Sequence, residues 1–112
     1  MSTKQKTFCF DIDRTLCEAV NSTEEYADVK PKKDVIDFVN QLFQAGNIVL
    51  LYTGRHSQQF LVTQEWLKKN NVQHHHIFFG KPVADVYIDD LAVRYTNLDE
   101  VKKELKKLEL FK

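Results

Sequence analysis

The chain has 112 residues, 43% of them hydrophobic and 29% charged, and its 16 Lys+Arg against 16 Asp+Glu leave a formal net charge of zero. A single domain over 1–112 suits this length and can bury a core without staples, while the charge balance argues against a nucleic-acid or membrane partner held by bulk charge, and no apolar run is long enough to span a bilayer. The two cysteines, Cys9 and Cys17, make no disulfide framework and read as reduced thiols; Asp11 cuts short the first apolar run, so no signal peptide is expected and the location is expected to be cytoplasmic.

In chain order, "KTFCF" (6–10) predicts a short buried strand. Residues 14–30 lack a sustained apolar period and predict a loop with room for a helical turn. Pro31 is expected to open a helix with Val35, Ile36, Phe38, Val39, Leu42 and Phe43 at helical spacing, and Gly46 to stop it. "NIVLLYT" (47–53) predicts a strand buried on both faces. A second helix is expected over 57–70, with Phe60, Leu61, Trp66 and Leu67 inward. "HIFF" (76–79) and "DVYID" (85–89) predict a third and a fourth strand. A last helix starts near Asn97, with Glu100 placed for a capping box and Leu98, Val101, Leu105 and Leu108 forming one stripe. Alternating strands and helices predict an α/β fold, a mostly parallel sheet with helices on both faces.

Ligands of such sheets bind beyond the carboxyl ends of the strands. The residues expected there are Asp11 and Asp13, then Thr53, Gly54 and Arg55, then Gly80 and Lys81, then Asp89 and Asp90. Four aspartates at one sheet edge repel one another and call for a cation. An all-oxygen donor set suits Mg²⁺, which keeps waters and joins carboxylates to a phosphate.

These residues resemble the four motifs of the haloacid dehalogenase (HAD) superfamily of phosphatases. "DIDRTL" matches DxDxT, "LYTGR" resembles the second motif, Lys81 in "FGKP" the third and "YIDD" the acidic fourth, in family order over residues 11–90. More narrowly, "YADVKP", "EWLKKNNV" and "FGKPVADVYIDD" look like small phosphatases of capsular polysaccharide synthesis. The resemblance implies a three-layer Rossmann-like core without a cap domain, the stretch 16–30 holding at most a small flap. Asp11 would then be the nucleophile forming an aspartyl-phosphate. Asp13 would be the general acid and base, its main-chain carbonyl also binding Mg²⁺. Thr15 would support the loop, Thr53 and Gly54 would hold phosphate oxygens with the following N–H groups, Lys81 would neutralise charge, and Asp89 and Asp90 would ligate Mg²⁺. Arg14 stands where many members of the superfamily carry Gly, and either crowds the loop or contacts substrate. Only residues 80–84 separate the third and fourth expected strands, whereas a parallel crossover takes about a dozen. Either "HIFF" is not a regular parallel strand or the third helix of the fold is missing, and the position of Lys81 hinges on which.

Arg14, Thr15, Arg55 and Tyr26 are candidate substrate contacts, and His56 either joins them or starts a helix. The adjacent His74–His76 would point alternately to opposite faces and make a poor metal site. Lys102, Lys103, Lys106 and Lys107 interleave with glutamates as on a solvated helix face. Trp66, Phe78 and Phe79 are expected in the core, and "LELFK" is a candidate dimer contact of a homo-oligomer. The expected function is Mg²⁺-dependent hydrolysis of a small phosphomonoester such as a sugar phosphate. The rivals are a phosphatase for nucleic-acid ends or phosphoproteins and a non-catalytic phosphate-binding module. Receiver domains end their third strand in a lone phosphate-accepting Asp; here that strand ends in "GKP", which disfavours the module.

Overall fold

The computed structural model describes residues 4–112; residues 1–3, part of the segment read above for a leader, lie outside the described residues. The chain divides into two compact units, Met1–Pro82 and Val83–Lys112.

The first unit is built on a parallel sheet in the order β1 (Thr7–Asp11), β2 (Ile48–Thr53), β3 (His76–Phe79). "HIFF" is therefore a regular parallel strand, pairing Leu51 with Ile77 and Thr53 with Phe79. The register of β1 on β2 pairs Phe8 with Val49 and Phe10 with Leu51. Side chains alternate across a strand, so Phe8, Phe10, Val49, Leu51, Thr53, Ile77 and Phe79 share one face. Both helices of the unit cover that face. From α1 (Lys33–Gln44), Phe38 meets Phe10 edge-on at 6.4 Å; from α2 (Phe60–Lys69), Phe60 lies 5.9 Å from Phe79. Crossovers of one hand that add strands in one direction place their helices on one side. This is why β2 alternates buried and half-buried residues instead of being buried on both faces, and why Phe78, on the other face, is half exposed instead of in the core.

Helix boundaries depart from the expected ones for local reasons. Pro31 pairs with Cys17 in an isolated antiparallel bridge, and α1 begins only after Lys32. Gly46 ends it in the left-handed region (φ +94°), where glycine carries no Cβ penalty. Residues Ser57–Gln59 form a 3-10 turn, and α2 proper follows. Leu61 and Phe60 are 71% and 43% exposed, contrary to expectation, and Thr63 is fully buried in line with Trp66 and Leu67: residues 63, 66 and 67 fall on one helix face, and 61 does not. Trp66 also donates its indole N–H to the Val29 carbonyl at 2.8 Å, pinning the long β1–α1 connection. His75 stacks on Phe43 and accepts the Val49 N–H at its Nδ1.

In the second unit the regular element is α3 (Leu98–Lys107). Its Asn97 cap forms as expected, the side chain accepting the Glu100 N–H at 3.0 Å, and Leu105 is buried. Lys103 and Lys107 pair with Glu100 and Glu104 one turn away. The expected strand at 85–89 does not form, and residues 80–97 contain neither helix nor strand. A strand exists only where a neighbour takes up its N–H and C=O groups, and 85–89 pairs with no strand. Val86 and Ile88, which the alternation would have buried, are exposed. With no strand at 85–89 there is no crossover after β3 for the short connection to span, and "HIFF" stands as a regular parallel strand. No described helix is long and apolar enough to cross a membrane.

Candidate active site

Asp11 is the last residue of β1, and the fully buried Ile12 anchors the chain directly after it. The Asp11 Oδ1 accepts the Ile12 N–H at 2.9 Å, and Oδ2 lies 3.7 Å from Lys81 Nζ. Lys81 arrives there because β3 runs parallel to β2 and Gly80 (φ +84°) turns the chain at its end. The Lys81 N–H then donates to the Thr53 carbonyl at 2.9 Å. A Cβ on Gly54 would stand 3.3 Å from the Lys81 carbonyl oxygen, so the two strand ends approach closely at a glycine. Partial burial pushes the Asp11 carboxyl above its ordinary pKa; Lys81 and the Ile12 N–H pull it down by less, and the Asp13 charge adds to the upward push.

The turn after Asp11 is organised around one carbonyl. Ile12 O accepts N–H groups from Thr15, Leu16 and Cys17 at 3.2, 2.8 and 3.3 Å, with Leu16 and Cys17 fully buried. Thr15 thus supports the loop through its backbone. Arg14 is exposed and left-handed (φ +66°), a conformation costing a non-glycine residue about 1–2 kcal/mol. Arg14→Gly is expected to stabilise the protein by up to about 1 kcal/mol once the extra unfolded-chain entropy of glycine is offset; thermal unfolding checks it, and a lowered Tm would count against it.

Asp13 is clasped by a guanidinium. Arg55 Nε donates to Asp13 Oδ2 at 3.0 Å and Nη2 to Oδ1 at 2.8 Å. The Arg55 side chain is fully buried while that of Asp13 is 29% exposed. Arg55 Nη1 donates to Thr63 Oγ1 at 3.0 Å, and the Tyr26 ring lies 3.8 Å from the guanidinium carbon. Thr53, fully buried at the end of β2, accepts the Arg55 N–H on its hydroxyl at 3.0 Å and so shapes the turn that delivers Arg55. The Cys17 sulfur lies 3.7 Å from Asp13 Oδ1. Burial first, then Asp13, pushes the Cys17 thiol up to about 11, so it stays protonated and unreactive at neutral pH.

The structure thus brings Asp11, Asp13, Thr53, Gly54, Arg55, Lys81 and Tyr26 into one constellation in the first unit. Asp89 and Asp90 belong to the second unit, exposed in its irregular segment, where Asp89 Oδ1 accepts the Leu91 N–H at 2.6 Å. Among the described residues no three His, Cys, Asp or Glu side chains gather as a metal cluster. Within the first unit the like-charge repulsion of Asp11 and Asp13 is met by Lys81 and Arg55. The sequence reading missed Thr63 and the pairing of Arg55 with Asp13. The signal for Thr63 was its spacing from Trp66 and Leu67; the pairing spans 42 residues and has no local signature.

An acid pair at the end of the first strand of a Rossmann-like parallel sheet, with basic residues from the next two strand ends turned onto it, defines a phosphatase-related α/β fold of the HAD type. The chain belongs to the LNS2 domain family: the model described as "PITM 1-3, LNS2 domain" matches residues 8–110. No curated protein sequence matches significantly. Among solved structures, the crystal structure of an MCSG target from Vibrio cholerae is similar at 30% identity and a TM-score of 0.71, over 93% of this chain and 99% of that one. A chain in the structure of a Pnkp1/Rnl/Hen1 complex is similar at 20% identity and a TM-score of 0.62, over 98% of this chain and 37% of that one, a likeness of fold.

Proposed function

We propose that the protein is a Mg²⁺-dependent phosphomonoester hydrolase working through an aspartyl-phosphate. The observation that carries this reading is the division of labour between two carboxylates two residues apart: Asp11 faces the Lys81 ammonium and Asp13 is held by the Arg55 fork. An Asp11 oxygen attacks phosphorus, the bond to the ester oxygen breaks, and Asp13 gives that oxygen its proton. Asp13 then takes a proton from water, which attacks phosphorus and breaks the Asp11–phosphorus bond. Lys81 offsets the repulsion between carboxylate and phosphate, and the N–H groups beyond Thr53 and Gly54 orient phosphate oxygens. The hard oxygen donors of Asp11 and Asp13 suit Mg²⁺, which when bound supplies further charge compensation. Motif resemblance, not geometry, supports Asp89 and Asp90 as additional ligands.

The same resemblance favours a small phosphorylated metabolite in a cytoplasmic setting, such as a sugar phosphate of polysaccharide synthesis. One observation favours a second reading. The element between β1 and α1 is a three-residue 3-10 helix (Thr23–Glu25), and nothing of cap-domain size is inserted there. A site without a cap admits a phosphoprotein or a nucleic-acid end. Release of inorganic phosphate from sugar phosphates, nucleotides, a phosphopeptide and a 3′-phosphorylated oligonucleotide, with Mg²⁺ and with chelator, separates these. The expected result is Mg²⁺-dependent release with sugar phosphates ranked first. Highest kcat/KM on a macromolecular ester would move the substrate class, and no release from any ester would sink the phosphatase reading.

A further inference from the structure

The connection between β1 and α1 closes on itself. The Glu18 N–H donates to the Lys30 carbonyl at 2.9 Å, the Lys32 N–H to the Leu16 carbonyl at 2.8 Å, and Trp66 holds the Val29 carbonyl. Residues 18–30 therefore form a compact surface excursion of the Ω-loop kind. The guanidinium that clasps Asp13 lies over the excursion's Tyr26 ring. A ring centroid at 3.8 Å from the guanidinium carbon is a close cation–π contact.

We propose that Arg55 is the positioning residue for the acid–base carboxylate Asp13, and that Tyr26, stacked on Arg55, is the residue through which the 18–30 excursion sets that position. This rests on the phosphatase reading above and adds to it. Each Asp13 oxygen accepts one Arg55 N–H, which fixes the carboxylate plane; Oδ1 also faces the Cys17 thiol at 3.7 Å, so Oδ2 is the oxygen that keeps a second lone-pair direction for the leaving oxygen or water. The Arg55 fork is in turn held by Nη1 on Thr63 and by the Tyr26 ring, while the backbone N–H of the same residue is fixed on the Thr53 hydroxyl. Arg55 acts through Asp13 and needs no contact with substrate. Proton transfer is more sensitive to a misplaced carboxylate than nucleophilic attack from Asp11 is, because the donor must lie within hydrogen-bond reach of the leaving oxygen.

The test compares two esters on the full chain with Mg²⁺. A p-nitrophenyl ester departs as a stabilised phenolate and needs little protonation; glycerol phosphate departs as an alkoxide and needs the proton. Arg55→Lys, which keeps the charge and loses the fork, is expected to lower kcat/KM for glycerol phosphate about 10- to 100-fold more than for the aryl ester, within the range of general acid catalysis. Tyr26→Ala is expected to shift the ratio of the two esters in the same direction, by about 3- to 10-fold, and Tyr26→Phe, which keeps the ring, to restore the parent ratio. Equal losses on both esters in folded variants would overturn the proposal while leaving the phosphatase intact. A parent protein inactive on both esters and on the wider panel would overturn the phosphatase reading and this one with it. Should Arg55→Lys fail to fold, the Tyr26→Ala and Tyr26→Phe pair carries the same comparison, since Tyr26 lies in the partly exposed excursion.

Discussion

Asp11→Asn is expected to reduce phosphate release by roughly 10³- to 10⁶-fold, the range seen when a catalytic nucleophile is removed, while raising the Tm at neutral pH. Asn preserves shape and can still accept the Ile12 N–H, so the loop is retained. What disappears is a carboxylate that burial holds above its ordinary pKa despite Lys81. Because the folded state binds this proton more tightly than the unfolded chain, the associated stability is greatest below the unfolded pKa. It is lost as pH rises through the raised folded pKa. At neutral pH the ionised group is thus a net cost to the fold, and removing it stabilises. The lost ion pair with Lys81 is long, at 3.7 Å, and partly solvated, so it subtracts little. Calorimetry of both proteins in chelator should show a Tm gain at pH 7 that shrinks as pH falls toward the ordinary aspartate range. An inactive variant with a lowered Tm would mean that the Lys81 pair outweighs desolvation; an active variant would exclude Asp11 as nucleophile.

Asp13→Ala is expected to destabilise the protein by about 3–5 kcal/mol, the cost of leaving a buried charge without its counter-ion. The asymmetry of the pair decides which deletion is worse. The Arg55 side chain has no solvent exposure, whereas that of Asp13 is 29% exposed. Water can therefore rescue Asp13 in part when Arg55 is removed, whereas the more deeply buried guanidinium is the harder of the two charges to solvate when Asp13 is removed. Thr63 and the Tyr26 ring remain, and neither carries a formal charge. Arg55→Met is accordingly expected to cost less, about 2–3 kcal/mol, and the double variant less than the sum, with a coupling of about 2–3 kcal/mol. Urea unfolding of the four proteins measures the cycle. Additive losses would show that the pair contributes through packing alone.

That Asp11 and Asp13 sit at a strand end could be read from "FCFDID", because an apolar β-prone run ending in acids is a local signal. That Thr53 and Gly54 join them followed from apolar runs in a parallel sheet, which gathers its carboxyl ends on one edge, whereas the position of Lys81 was left open by the short stretch after β3. The identity of the cation compensating Asp13 was not readable in this way. Which side chain reaches Asp13 depends on the turn shaped by Thr53, on Thr63 one element later and on Tyr26 in the excursion.

By itself, the sequence determined the strand at β1, the apolar run of β2, the short β3, the amphipathic α1, the Asn97 cap and the residues available for phosphate chemistry, because each depends on neighbours within a few positions. Only the tertiary structure decided that α1 and α2 share one face, that Thr63 and not Leu61 turns inward, that 85–89 forms no strand, and that Arg55 closes on Asp13. The reason is physical: a strand needs a partner and a buried charge needs a counter-ion, and both are supplied by residues whose proximity exists only once the chain has folded.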